Sequence, residues 1–133
     1  MLNVFPELLS YSLLAPFVLR LFLGGFFLYA GWQKIVGKRA DWEKLLADIN
    51  LVPTSLWLKI FAVIEIVCGG FMVIGFLTQI VTVILAFFMI LALSLKRKEF
   101  VLKESYFFYI LVLVISISLL FSGAGAWAID LPL

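Results

Sequence analysis

The sequence predicts an all-α integral membrane protein, a four-helix bundle with both termini outside and a short amphipathic helix at the cytoplasmic interface. Apolar residues make up 65% of the 133 residues, and the mean hydropathy is +1.23. A soluble domain has only about 45–50% apolar residues. Four apolar stretches come close to the ~17–25 residues that a helix needs to cross about 30 Å of hydrocarbon.

The predicted spans are residues 13–36, 56–75, 78–95 and 106–121, in a single domain over residues 1–133. Pro16 falls in the first turn of the first span, where its missing N–H is tolerated. Pro53 breaks the chain before the second span, and residues 75–79 make a tight turn before the third. The fourth span is the shortest, and the tail after it could extend it.

Basic residues predict the orientation of these spans. They are concentrated in the connections after the first and third spans, whereas the connection between the second and third spans and the tail have none. Because loops rich in Lys and Arg face the cytoplasm, both termini are expected outside. The basic residues in the two connections are Lys34, Lys38, Arg39, Lys44, Lys96, Arg97, Lys98 and Lys103.

Residues 41–50 form a separate amphipathic element between the first two spans. Trp42, Leu45, Leu46 and Ile49 recur at helical spacing, and charged residues fill the other face. The pattern is typical of a short helix on the cytoplasmic membrane surface, where Trp42 would join the interfacial aromatic belt. Two other interpretations are that the helix covers the end of the bundle or docks a partner protein.

Arg20 and Glu65 are ionisable residues inside apolar spans, where a charge is costly and normally faces a partner in the bundle interior. Each belongs to a helix face that also carries small residues, which allow close helix packing in lipid. We expect the two faces to meet and Arg20 to pair with Glu65 beside a polar intramembrane cavity. A purely structural pair that sets helix register is the alternative. The faces are Arg20, Gly24, Phe27, Gly31 and Lys34, and Ala62, Glu65, Cys68, Gly69 and Met72.

Further candidates surround this expected site. Cys68 lies one turn from Glu65, and its alternative role is that of a small packing residue. Tyr109 and Ser116 lie seven residues apart in the fourth span and could add hydroxyl groups to the interior. In the tail, Trp127 is expected to anchor at the outer interface, and Asp130 to fold back toward Arg20 or remain a solvated carboxylate.

The inventory of reactive residues narrows the possible chemistry. The chain has no His and one Cys, which excludes an intrachain disulfide, a Cys pair and His-ligated metal or haem sites. Electron chemistry would therefore need a partner subunit or a diffusible carrier. A net charge of +2 gives no reason to expect a nucleic-acid partner.

Three segments of the chain resemble the DoxX family of small bacterial membrane proteins. Residues 20–34 are similar to its R-x3-G-x6-G-x2-K pattern, and residues 65–75 to its E-x3-G-G-x4-G pattern. Residues 123–130 are similar to its closing G-x-G-x-aromatic-S-x-D pattern, except that Ala128 replaces the usual Ser. The resemblance implies a four-helix domain in a bacterial inner membrane, with Arg20, Lys34, Glu65 and Asp130 as the family positions.

The resemblance also implies a link to redox physiology, since the family name derives from a thiosulfate:quinone oxidoreductase. The leading hypothesis is a redox-associated subunit, not an autonomous oxidoreductase, whose polar site binds a quinone or a lipid head group. A non-enzymatic scaffold or assembly factor and a small proton-coupled transporter acting as a dimer are the alternatives. The implied partners are membrane lipid, a redox partner protein and a second copy of the chain.

Overall fold

The computed structural model describes residues 11–96 and 106–129, without the side chains of residues 95 and 96. Within these ranges the chain forms five α-helices and no strand. The first helix continues directly into a π-helical turn, Gln33–Gly37. The helices are α1, Leu14–Trp32; α2, Arg39–Asp48; α3, Thr54–Ile74; α4, Thr78–Lys96; and α5, Tyr106–Ser122.

The four long helices contact one another in the cyclic order α1, α3, α4, α5. The pairs α1–α3 and α4–α5 have the most extensive contacts, and α2 packs against α3 and the π-helical turn. The apolar side chains at the centre come from all four long helices. They include Leu23, Phe27, Met72, Leu85, Val112 and Leu119.

Glycines let α1 and α3 approach closely. A Cβ atom at Gly24 would lie 2.8 Å from the carbonyl oxygen of Gly69, and one at Gly31 would lie 2.9 Å from that of Ala62. A Cβ atom at Gly69 would in turn lie 2.9 Å from the Gly24 oxygen. The backbones therefore touch where a side chain would hold them apart. All the residues of the two expected helix faces are buried.

The outer surface of the four long helices is largely apolar. Large side chains such as Phe87, Phe107 and Phe121 are exposed, whereas Arg20, Lys34 and Glu65 are buried. A soluble protein has the opposite arrangement, and large contiguous apolar surfaces mark contact with a membrane or another protein. By length and composition, Leu14–Gly37 (24 residues) and Thr54–Ile74 (21 residues) could each cross a bilayer. The apolar helices Thr78–Ser94 and Tyr106–Ser122 are shorter.

Helix α2 forms close to its predicted position and packs against the long helices. It runs from Arg39 to Asp48, two residues earlier than expected at each end. Leu45 and Leu46 are buried inside the protein, and Trp42 is half-buried. Its apolar face therefore packs against the long helices, which fits the interpretation that it covers one end of their assembly.

The basic residues Arg97, Lys98 and Lys103 lie outside the described residues, as does Asp130. Residues 1–10 and 130–133 are not described either, so the expected location of the two termini stays a prediction. Lys34, Lys38, Arg39 and Lys44 are described, and they cluster around the end of α1 and the start of α2.

Candidate functional site

A buried ion pair joins the end of α1 to the middle of α3. Both carboxylate oxygens of Glu65 accept hydrogen bonds from Lys34 Nζ. The exposed fractions of the two residues are only 7% for Lys34 and 3% for Glu65. A charged pair this deeply buried is costly to desolvate and depends on close, well-directed contacts.

The π-helical turn supplies the lysine of this pair. The Lys38 backbone N–H donates to the Gln33 carbonyl oxygen at 2.8 Å, five residues back. The Gln33 side chain folds over Gly37, where a Cβ atom would collide with it. Single π-helical turns inside α-helices occur frequently at functional sites, and Lys34 lies in this one.

The expected pairing of Arg20 with Glu65 is wrong, because the contact register of α1 and α3 separates the two residues. Gly24 lies opposite Gly69, and Gly31 lies opposite Ala62. Continuing this antiparallel register places the backbone of Arg20 opposite Val73, and the Arg20 side chain extends to Gly75, where a Cβ atom would come 2.8 Å from the Arg20 Cζ atom. Glu65 is ten residues before Gly75 in α3, a separation of about 15 Å along the helix.

Arg20 instead holds the loop that follows α5. Its Nη1 donates to the Ala124 carbonyl oxygen at 2.7 Å, and its Nη2 to the Trp127 carbonyl oxygen at 3.4 Å. The guanidinium also lies 5.2 Å from the centre of the Phe17 ring, within cation–π range. Arg20 is 1% exposed, so these contacts replace water at its two terminal nitrogen atoms, whereas its buried Nε has no hydrogen-bond partner among the described residues.

The loop after α5 folds onto the beginning of α1. The Ala126 N–H donates to the Leu13 carbonyl oxygen at 3.0 Å. Gly125 has a φ of 74° and lies against Phe17 and Leu13, so a side chain there would be both strained and crowded. The indole of Trp127 is 75% exposed and meets the Phe17 ring edge-on at 5.2 Å. The tail thus contacts Arg20 through the backbone of Trp127, whereas Asp130, which was expected to fold back toward Arg20, lies outside the described residues.

A cavity of about 120 Å³ opens beside the Lys34–Glu65 pair. Its walls come from α1, α2, α3, α4 and α5, and they are mostly apolar. The apolar face of α2 closes one side of this cavity. The lining residues include Phe26, Lys34, Trp42, Phe61, Glu65, Phe88 and Tyr109.

Trp42 lies over the lysine of the ion pair, with Lys34 Nζ 4.5 Å from the centre of its ring. A cation at this distance is attracted by the ring quadrupole, by about 0.5–2 kcal/mol depending on exposure. The sequence predicts Trp42 at the membrane interface, and the contact with Lys34 was not expected. The helical spacing of Trp42 with Leu45 and Leu46 is the available signal, because it places Trp42 on the apolar face of α2.

The other candidate residues are distributed between the cavity and the core. Tyr109 lines the cavity. Cys68 is buried in the apolar core, which fits its alternative role as a small packing residue. Ser116 Oγ donates to the Val112 carbonyl oxygen of its own helix at 2.9 Å, so its hydroxyl is used locally. The described residues contain no group of three acidic, Cys or His side chains able to hold a metal ion.

Chemically, the arrangement combines an apolar cavity with one buried pair of opposite charges. It could hold an apolar molecule and hydrogen-bond to a polar group at its end. Arg20 belongs to a second polar cluster near the other end of α1, fourteen residues before Lys34, about 21 Å along the helix. The expected single polar site is therefore two separate sites.

The DoxX family model matches residues 15–97 of the chain. No curated protein matches the chain, and no solved structure does so. The match includes α1, the π-helical turn, α2, α3 and α4, and therefore both members of the Lys34–Glu65 pair. With more than half of its residues covered, the chain belongs to the DoxX family of membrane proteins.

Proposed function

We propose that this chain is a bacterial inner-membrane protein whose four long helices cross the bilayer as a bundle, with both termini outside. The apolar outer surface and the buried charges support this arrangement. Lys34, Lys38, Arg39 and Lys44 cluster at one end of α1 and the start of α2. Because basic residues flank the cytoplasmic ends of spans, this end of the bundle faces the cytoplasm.

The cavity beside Lys34 and Glu65 binds the polar head of an apolar molecule taken from the bilayer, either a quinone or a lipid head group. The observation that supports this most directly is the buried ion pair, which lies in the wall of a mostly apolar cavity. Ligand pockets are mainly apolar and carry a few well-placed polar groups. Ionisable residues at membrane depth are expensive and usually functional.

In this role the protein is a redox-associated subunit and not an oxidoreductase on its own. Its 133 residues contain no His and one Cys, and Cys68 is buried in the core. Electrons would therefore pass through the bound molecule and a partner protein. The contribution of the chain is to hold the carrier at a defined depth.

Native mass spectrometry in lipid nanodiscs, combined with extraction of lipids and quinones, tests this function. The wild type is compared with Glu65→Gln, and Glu43→Gln is the matched control because Glu43 belongs to an exposed ion pair with Arg39. We expect one co-purifying small molecule that is lost from Glu65→Gln and kept in Glu43→Gln. Empty protein in all three samples, with unchanged thermal stability, would contradict the binding function.

A scaffold or assembly factor is the second candidate. It is supported by the way the buried charges are already used, Lys34 with Glu65 and Arg20 with the loop after α5. A partner protein would then meet the exposed polar face of α2, which carries Asp41, Lys44 and Asp48. Co-purification of one partner that is lost when these three charges are removed would favour the scaffold.

A further inference from the structure

The charges in the cavity wall cancel. Among the described residues that line the cavity, Lys34 and Glu65 are the charged ones, and they contact each other directly. A phosphate or carboxylate head would lie beside the Glu65 carboxylate, and an ammonium head beside Lys34. Like charges repel strongly where water is excluded, so the cavity disfavours a charged head of either sign.

The ion pair still has unused hydrogen-bonding capacity. An ammonium group has more N–H donors than its two contacts with Glu65 can use, and a carboxylate has more lone pairs than Lys34 fills. A hydroxyl group placed at the pair can accept from Lys34 and donate to Glu65 at the same time. The pair therefore matches a neutral group that is both a donor and an acceptor.

The cavity also suits a flat ring. Phe26, Trp42, Phe61, Phe88 and Tyr109 all contribute to its walls. Aromatic rings attract one another in offset and edge-to-face geometries, and Phe61 and Phe88 already meet edge-to-face at 5.8 Å. The volume of about 120 Å³ is close to the roughly 150 Å³ of an apolar cavity that binds benzene. One ring fills it, and an apolar tail must leave through its open side.

We infer that the cavity recognises an uncharged hydroxylated aromatic head, that of a phenol or hydroquinone with an apolar tail, and rejects anionic lipid head groups. This inference rests on the proposed binding function and narrows its ligand to one chemical class. Lys34 donates to the ring hydroxyl, Glu65 accepts from it, and Trp42 covers the pair. The charge balance and the aromatic walls act together as the filter.

Binding of three probes to the full chain in phosphatidylcholine nanodiscs tests the inference. The probes are a 4-alkylphenol, the methyl ether of the same alkylphenol and an alkyl phosphate of equal chain length. Binding is followed by tryptophan fluorescence in a chain that keeps Trp42 as its single indole. This chain carries the changes Trp32→Phe, Trp57→Phe and Trp127→Phe.

We expect the phenol to bind at least about tenfold more tightly than the ether or the phosphate, a difference of about 1.4 kcal/mol. Glu65→Gln leaves Lys34 without a counter-charge, so the phosphate should then bind more tightly than the phenol. Glu43→Gln should keep the wild-type order, because the Arg39–Glu43 pair is exposed. This reversal of preference is a readout that a merely structural ion pair would not produce.

If Glu65→Gln does not fold, the affinities of the three probes for the protein with Glu65 intact still test the preference for a phenolic head. Equal or tighter wild-type binding of the phosphate or the ether would overturn the preference for a phenolic head. Such a result would leave the cavity as a binding site of another selectivity. Absence of saturable binding by all three probes would overturn the binding function together with this inference.

Discussion

The close contact of α1 and α3 can be tested at two pairs of neighbouring glycines. Gly24 and Gly69 lie in the contact, whereas a Cβ atom added at Gly25 or Gly70 would meet open space. Each contact glycine thus has a matched control at the next residue of the same helix. The change in every case is Gly→Ala.

The structure gives the size of the expected effect. A Cβ atom at Gly24 would lie 2.7 Å from Val73 Cγ2 and 2.8 Å from the Gly69 oxygen. Normal contacts of this kind are about 3.5–4.0 Å, so the helices must separate or shift by several tenths of an ångström. Overpacking of this kind costs about 1–3 kcal/mol. Gly→Ala also favours the helix by about 1 kcal/mol, at Gly25 as much as at Gly24.

Because helix propensity contributes equally to both variants, their difference isolates the crowding. We expect Gly24→Ala to be less stable than Gly25→Ala by about 1–3 kcal/mol, and Gly69→Ala to be less stable than Gly70→Ala by a similar amount. Equilibrium unfolding in mixed micelles of mild detergent and SDS, followed by circular dichroism, measures these free energies of unfolding.

Equal stability within both pairs would refute the reasoning. It would mean that α1 and α3 do not approach through these glycines. The register that separates Arg20 from Glu65 would then lose its basis. Destabilisation by Gly25→Ala alone would point to a contact face of α1 rotated by about 100° from the one that carries Gly24.

Two further predictions concern the buried charges. Lys34→Met leaves the Glu65 carboxylate buried without its counter-charge and should lower the free energy of unfolding by about 3–5 kcal/mol. Arg39→Met breaks an exposed pair and should lower it by less than about 1 kcal/mol. The same unfolding assay measures both variants, and equal losses would contradict the burial of the Lys34–Glu65 pair. Arg20→Met removes the donor from two loop carbonyl groups and should lower the free energy of unfolding by about 1–3 kcal/mol. Proteolysis of the loop around Trp127 should become faster. An unchanged cleavage rate would show that Arg20 does not hold the loop.

The sequence was sufficient to predict which helix faces are buried. On α1 and α3, the charged and small residues recur at helical spacing, and such residues avoid lipid for reasons that hold in any membrane protein. The helices themselves followed from the apolar stretches, and the turn at Gly75 from its glycine. These features depend on local spacing alone.

The partners of the buried charges could not be predicted in this way. The expected pairing of Arg20 with Glu65 follows from the expectation that their helix faces meet, but the register depends on which glycines touch. The carbonyl groups that bind Arg20 carry no signal in the sequence, because every residue has one. The pattern of α2 likewise shows an apolar face without showing whether lipid or protein covers it.

The contacts of Arg20 also have a consequence for biosynthesis. The residues that bind its guanidinium follow it by 104 and 107 positions. At about 5–20 residues per second, a ribosome completes this loop roughly 5–20 s after it has made Arg20. A nascent chain that has inserted α1 therefore carries an arginine without these two partners until Ala124 and Trp127 have been made. Termination before residue 124 would leave that charge without both carbonyl partners, a feature by which quality-control proteases could recognise a truncated chain.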